Sequence, residues 1–107
     1  MASKRWKALE RTAAEKLKGR RITEHWTLFR ERPDVVVPDF RLVCDCKAYE
    51  RFSHHTMLET VKEKYCGPGD IPVLVSKSAR QTGECITIPL DFFATLLDTL
   101  RSKGGTP

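Results

Sequence analysis

Asp34, Asp45 and Lys47 are residues whose types and spacing could do chemistry, and they lie in or beside the most apolar stretch of the chain, RPDVVVPDFRLVCDCKAYE. Charged groups are costly away from water unless paired, hydrogen-bonded or bound to metal. Charges at the end of such a strand are therefore either a solvated rim or a set with a task. In a strand, alternate residues share a face. Val43, Asp45 and Lys47 thus fall on one side of RLVCDCK, and Leu42, Cys44 and Cys46 on the other. The cysteines can pack inward while Asp45 and Lys47 point together into a cleft. Pro38 and Asp39 suit a turn between DVVV and RLVCDCK. That hairpin brings Asp34 back beside Asp45. A register pairing Val36 with Val43 puts both carboxylates on one face; the sequence permits it without imposing it.

Two carboxylates within a few ångströms repel, and one ordinarily keeps a proton. A hard divalent cation removes that penalty, and an oxygen-rich site suits Mg²⁺ or Mn²⁺. A neighbouring lysine cannot be a ligand, but it can stabilise charge on a phosphate or help orient water. Two acids and a lysine on adjacent strands make chemical sense as a phosphodiester-hydrolysing site. As structure alone, Asp45 and Lys47 form a rim pair worth little. Glu10 stands four residues after Trp6 and three before Ala13, on the shoulder of a helical apolar stripe. From there a glutamate can reach a cleft or simply be half-buried. Glu15 points to the solvent side.

The elements that must position these groups follow from the pattern. Trp6, Leu9, Ala13 and Leu17 recur at helical spacing between Lys4 and Lys18, and Gly19 is placed as a C-cap. RRIT reads as a short strand and EHWTLFRERP as a loop. DVVV and RLVCDCK read as strands. Ser53 is placed to cap a helix from His54 to Tyr65, which CGPGD stops. IPVLVSK reads as a buried strand, SARQTGE as a loop and CITIP as another strand. Asp91 to Leu100 reads as a helix with Phe92, Leu96, Leu97 and Leu100 inward, and SKGGTP as a frayed tail. The expected fold is α/β, a mixed five-stranded sheet flanked by helices in the order α-β-β-β-α-β-β-α. The unit from Leu42 to Val75 should be a right-handed parallel crossover.

At 107 residues, 40% hydrophobic and 31% charged, the chain suits one soluble globular domain. No apolar run approaches the roughly 20 residues needed to span a bilayer, and MASKRWKALERTAAEKL has no signal-peptide core. The expected location is the cytoplasm, that of the host if the source is viral. Four cysteines then read as reduced thiols rather than a disulfide frame. The net charge of +5, with KRWK, KLKGRR and KSAR as local basic groups, suits a surface tracking phosphates, or a solvated charged face.

Pro33-Asp34, ten intervening residues, then Asp45-Cys46-Lys47, in this order of elements, resembles the PD-(D/E)xK nuclease superfamily. The size, the basic charge and the opening RWKALERTAAEKL are most similar to archaeal-type and phage Holliday junction resolvases. The resemblance spans roughly Trp6 to Leu97 and implies a restriction-endonuclease-like core. It also implies a homodimer that cuts four-way DNA junctions with Mg²⁺. Carried over, it makes Glu10, Asp34 and Asp45 metal ligands and Lys47 the catalytic lysine, with the backbone carbonyl of Cys46 completing the metal sphere. The chain departs from the pattern at Asp45, where glutamate is commoner. It also lacks a Ser- and Gly-rich segment before Pro33, and a glutamine in MLETVKEKY.

The other candidates have blander readings beside them. Cys44 and Cys46 suit small buried side chains better than a zinc site, because C-x-C lacks the usual ligand spacing. His54 and His55 could touch DNA phosphate or be exposed histidines of a helix start. Trp26 and Phe29 could stack on DNA, form a dimer contact or pack on the first helix. Three functions stand. The leading one is a junction-resolving endonuclease. Another repair or restriction-type nuclease of the same superfamily, and a non-catalytic nucleic-acid-binding protein, are the alternatives. The acids favour an enzyme, since a pure DNA binder gains nothing from carboxylates facing phosphate.

Overall fold

The computed structural model describes residues 2–23, 31–48, 53–78 and 80–103, with side chains from residue 7 onward. The elements are α1 (Ala2–Leu17), β1 (Arg20–Arg21), β2 (Val35–Val37), β3 (Leu42–Lys47), α2 (His54–Tyr65), β4 (Ile71–Ser76), β5 (Cys85–Thr87) and α3 (Leu90–Ser102). They form one mixed sheet in the order β1-β2-β3-β4-β5. β3 and β4 are parallel and joined through α2; the remaining neighbours are antiparallel. This is the α/β architecture and element order that the sequence pattern implies.

Each face of the sheet takes one helix. Leu9 and Ala13 of α1 pack with Val35, Cys44, Cys46, Val73 and Val75, and Ala14 and Leu17 close the edges of that cluster. Val43 and Leu74 point to the opposite face, where α2 lies against β3 and β4 and buries Val61 completely. Covering on both faces explains why β4 reads as an unbroken apolar run rather than an alternation. The two cysteines of β3 serve as small core side chains on the α1 face, as their spacing suggests. Trp6, expected on the same stripe, lies outside the described side chains. Trp26 and Phe29 lie outside the described residues.

Three local expectations need correction. The left-handed residue ending α1 is Lys18 (φ 54), not Gly19. Gly19 is needed for another reason: a Cβ there would lie 2.5 Å from the Val36 carbonyl oxygen and 2.9 Å from Val37 Cγ2. Ser53 occupies the N-cap position of α2 but makes no side-chain cap; its carbonyl accepts the Met57 N–H at 2.9 Å. In α3 no side chain is buried, and Leu100, expected inward, is 56% exposed. Helical periodicity identifies an apolar stripe, but it cannot say whether the stripe meets the chain's own core.

Gly19→Ala tests the close approach of α1 to β2. Because the obstacle is backbone, overpacking should cost about 1–3 kcal/mol. The thermal midpoint should then fall by roughly 5–15 °C. Gly83→Ala, whose Cβ meets nothing within 4 Å although φ is +86, should show only the smaller backbone penalty; calorimetry of the two variants compares them.

Candidate active site

The hairpin of β2 and β3 pairs Val36 with Val43, the register that puts Asp34 and Asp45 at one strand end. Asp34 stands at a bend just before β2. Its N–H donates to the Cys44 carbonyl at 3.0 Å, one residue off the ladder's register, so regular pairing ends there. Its carboxylate then accepts the Cys46 N–H at 2.8 Å. A side chain thus takes the place of a backbone acceptor where the strands part. The Asp34 carbonyl also accepts the Ile22 N–H at 3.0 Å, and upstream the Glu31 N–H donates to Lys64 at the end of α2 at 3.3 Å. Pro33 between them is fully buried. Asp34 is therefore fixed from β1, β3 and α2 together.

Asp45 is only 6% exposed, an unusual state for a carboxylate. Lys47 Nζ lies 3.3 Å from its Oδ2, and the Asp45 carboxyl also shares a hydrogen bond with Asp34. Beside Lys47, on the paired position of β4, Ser76 is buried as well. Glu10 reaches the same acids from α1 and shares a hydrogen bond with Asp34. Its Oε1 is held by Arg21, with Nη2 at 3.0 Å and Nε at 3.3 Å. Three carboxylates are thus linked in a chain, Glu10 to Asp34 to Asp45, with Arg21 at one end and Lys47 at the other.

The electrostatics follow. Burial pushes the Asp34 carboxyl up to about 6; the Cys46 N–H and Lys47 work against the shift, and the neighbouring Asp45 adds to it. Glu10 is also raised, by burial first and then by the charge of Asp34, with Arg21 opposing. Tyr65, at the last turn of α2, is held up at about 12 by burial and by the charges of Asp45 and Asp34, so it remains a protonated phenol. Burial likewise raises the thiols of Cys44 and Cys46, which are inert core groups rather than nucleophiles.

All-oxygen donors suit a hard cation in their chemistry. Among the described residues, however, no three His, Cys, Asp or Glu side chains converge as a ready site for an ion. Glu10 is turned toward Arg21, and the closely matched donors are Asp34 and Asp45. His54 and His55 are exposed in the first turn of α2. Arg21, Tyr65 and Ser76 were not expected at the site. For Arg21 the available signal was strand parity: once RRIT is aligned with β2, Arg21 pairs with Val35 and faces α1. No family model, curated protein or solved structure matches this chain.

The raised Asp34 has a consequence for stability. A carboxyl whose folded value, about 6, exceeds its unfolded value binds more protons when folded. Its contribution is complete below about 4 and is lost as pH rises through about 6. Asp34→Asn should therefore be more stable than the parent at pH 7.5, by about 1–2 kcal/mol. That advantage should vanish by pH 4. Urea unfolding of both proteins at pH 4, 5, 6 and 7.5 measures it; a constant difference across the range would reject the assignment.

Proposed function

We propose that this chain is a metal-dependent DNA endonuclease that resolves four-way junctions as a homodimer, hydrolysing one phosphodiester bond at each of two sites. The observation that carries the reading is the meeting of Asp34, Asp45 and Lys47 at one strand end, with Asp34 oriented by the Cys46 N–H at 2.8 Å. Asp34 and Asp45 would hold Mg²⁺ or Mn²⁺, joined by the Cys46 carbonyl and by Glu10 released from Arg21. The ion, when bound, supplies a Lewis acid and lowers the pKa of water.

The chain's own residues do the rest. Asp45 accepts from the Lys47 ammonium at 3.3 Å and so directs it. A directed ammonium can meet a non-bridging phosphate oxygen and stabilise the charge that grows there as water adds to phosphorus. Asp34 keeps its carboxylate in place through the Cys46 N–H, so this side chain would need no reorientation, whereas Glu10 would have to leave Arg21. Near-complete burial of Asp45 excludes bulk water and strengthens each of these interactions. Exposed Lys7, Lys18, Arg20 and Arg80 offer phosphate contacts outside the site. Recognition would then rest on junction shape rather than base edges.

A non-catalytic nucleic-acid-binding protein is the second reading. It is favoured by the internal pairing of Glu10 with Arg21 and of Asp45 with Lys47, a balance that a purely structural charge network would also reach.

Cleavage assays on four-way, forked and linear DNA separate the two. Asp45→Asn and Lys47→Ala should each lower junction cleavage by at least about 100-fold while binding changes little. Cleavage should need Mg²⁺ or Mn²⁺, fail with Ca²⁺ and stop in excess chelator. Mn²⁺ should raise the thermal midpoint of the parent protein but not of Asp34→Asn. Binding should weaken steeply with salt. Cleavage that survives chelation, or normal turnover in either variant, would reject the nuclease.

A further inference from the structure

α3 runs from Leu90 to Ser102 without burying a single side chain. Its apolar residues nevertheless fall into two stripes. Phe92 and Leu96, four residues apart, are partly covered by the rest of the domain. Leu90, Phe93, Leu97 and Leu100 follow at spacings of three, four and three, the a/d repeat of a helix that packs on another helix. In this second stripe Leu90 is 79% exposed, Phe93 45% and Leu100 56%, whereas Leu97 is partly covered, as Phe92 and Leu96 are. The repeat is one that suits a helical mate, and none of the extensive contacts between described elements involves α3.

We propose that this stripe is a homodimer interface in which α3 pairs antiparallel with α3 of a second copy about a two-fold axis. The antiparallel direction comes from the charges. Asp91 is the only charged residue of α3 before Asp98, whereas Arg101 and Lys103 gather at the other end. Asp98 and Arg101 pair with each other within the helix at 3.4 Å, and Lys103 leaves that end with a net positive charge. If Leu90 faces the partner's Leu100, Phe93 faces the partner's Leu97, and the acidic start of each helix lies against the basic end of the other. A parallel pair would set Asp91 against Asp91 and Arg101 against Arg101. Antiparallel helices also oppose their dipoles favourably. β5, beside α3 in sequence, is only three residues long, a form that discourages pairing through the sheet edge.

The area fits a modest dimer. A stripe of this kind exposes a few hundred Å². Two copies with their polar rims would bury on the order of 1,000 Å², the low end of specific interfaces. A dissociation constant of about a micromolar is the corresponding expectation. The inference locates the dimer that the proposed function calls for, but its evidence is independent of catalysis.

Sedimentation equilibrium of the whole protein, with no DNA present, is the test. The parent should be dimeric at tens of micromolar. Leu90→Glu combined with Leu100→Glu should raise the dissociation constant by about 100-fold or more, with far-UV dichroism unchanged because both side chains are already exposed. Asp91→Arg and Arg101→Asp should each weaken the dimer, and the two together should restore it. A parent that stays monomeric at about 100 µM overturns the proposal, as does a dimer indifferent to the leucine changes. Charge reversals that fail to rescue one another overturn the antiparallel arrangement. These outcomes are independent of cleavage, so a failed nuclease reading and a failed interface are told apart.

Discussion

The register between β2 and β3 is the constraint on which the rest of the structure depends. Side chains alternate along a strand, so a slip of one residue would turn Asp45 and Lys47 toward α1 and bring Cys44 and Cys46 out of the core. Two things oppose the slip. Val35 and Cys44, paired across the hairpin, are both completely buried, so any slip exposes one and leaves a cavity under the other. The turn is also of fixed length: a 3-10 turn over Pro38–Phe40 closes on Arg41, which is left-handed at φ 58 and donates its N–H to the Pro38 carbonyl at 3.1 Å. Arg41 carries the constraint onward. Its carbonyl accepts the Ile71 N–H at 2.9 Å, and its guanidinium reaches Asp70 and the Pro68 carbonyl, each at 2.9 Å. One residue thus ties the hairpin to the start of β4, and both registers of β3 are set at the end of the sheet opposite the acids.

At that other end the registers bring together groups that would otherwise avoid one another. Glu10, Asp34 and Asp45 stand against Arg21 and Lys47, three acids to two bases, leaving one negative charge without an ionic partner inside the group. The Cys46 N–H offsets part of it, since a charge-assisted hydrogen bond is roughly twice as strong as a neutral one. Burial, with the neighbouring Asp45 adding to it, then raises the proton affinity of Asp34, up to about 6. A fold selected only for stability would do better with apolar side chains of similar volume. The surplus negative charge at an ordered strand end is what the proposed function would answer with a bound cation.

Sequence pattern made the elements legible because burial and periodicity agree along most of this chain. α2 runs from His54 to Tyr65 as its flanking residues imply, and the Val36–Val43 register was one that the turn length permitted. The grouping of Asp45 with Lys47 follows from strand parity, whereas Asp34 joins them only through the Val36–Val43 register, which the sequence permits without imposing. Other features were hidden because they depend on contacts distant in sequence. Gly19 looks like a helix stop but answers to the backbone of β2, which no local pattern records. The pairing of Arg21 with Glu10 requires knowing how α1 crosses β1. The exposure of Leu100 in α3 is hidden for a complementary reason: an amphipathic helix has the same pattern whether its apolar face meets its own domain or another molecule.

The sheet order also keeps two demands apart. The acids lie just before β2, on β3 and on the adjoining helix α1, whereas α3 follows β5, the strand at the far edge beyond β4. Lys47, Ser76 and Cys85 sit across three successive strands, so β4 stands between the acids and the edge that leads into α3. β4 is buried along nearly its whole length. No residue of α3 belongs to the buried cluster, so substitutions of its outer leucines remove none of that cluster's members. The buried cluster drawn from α1, β2, β3 and β4 holds the acids without help from α3. That frees the last helix to keep an apolar surface which a domain of this size, with so limited a core, would otherwise be expected to bury for itself.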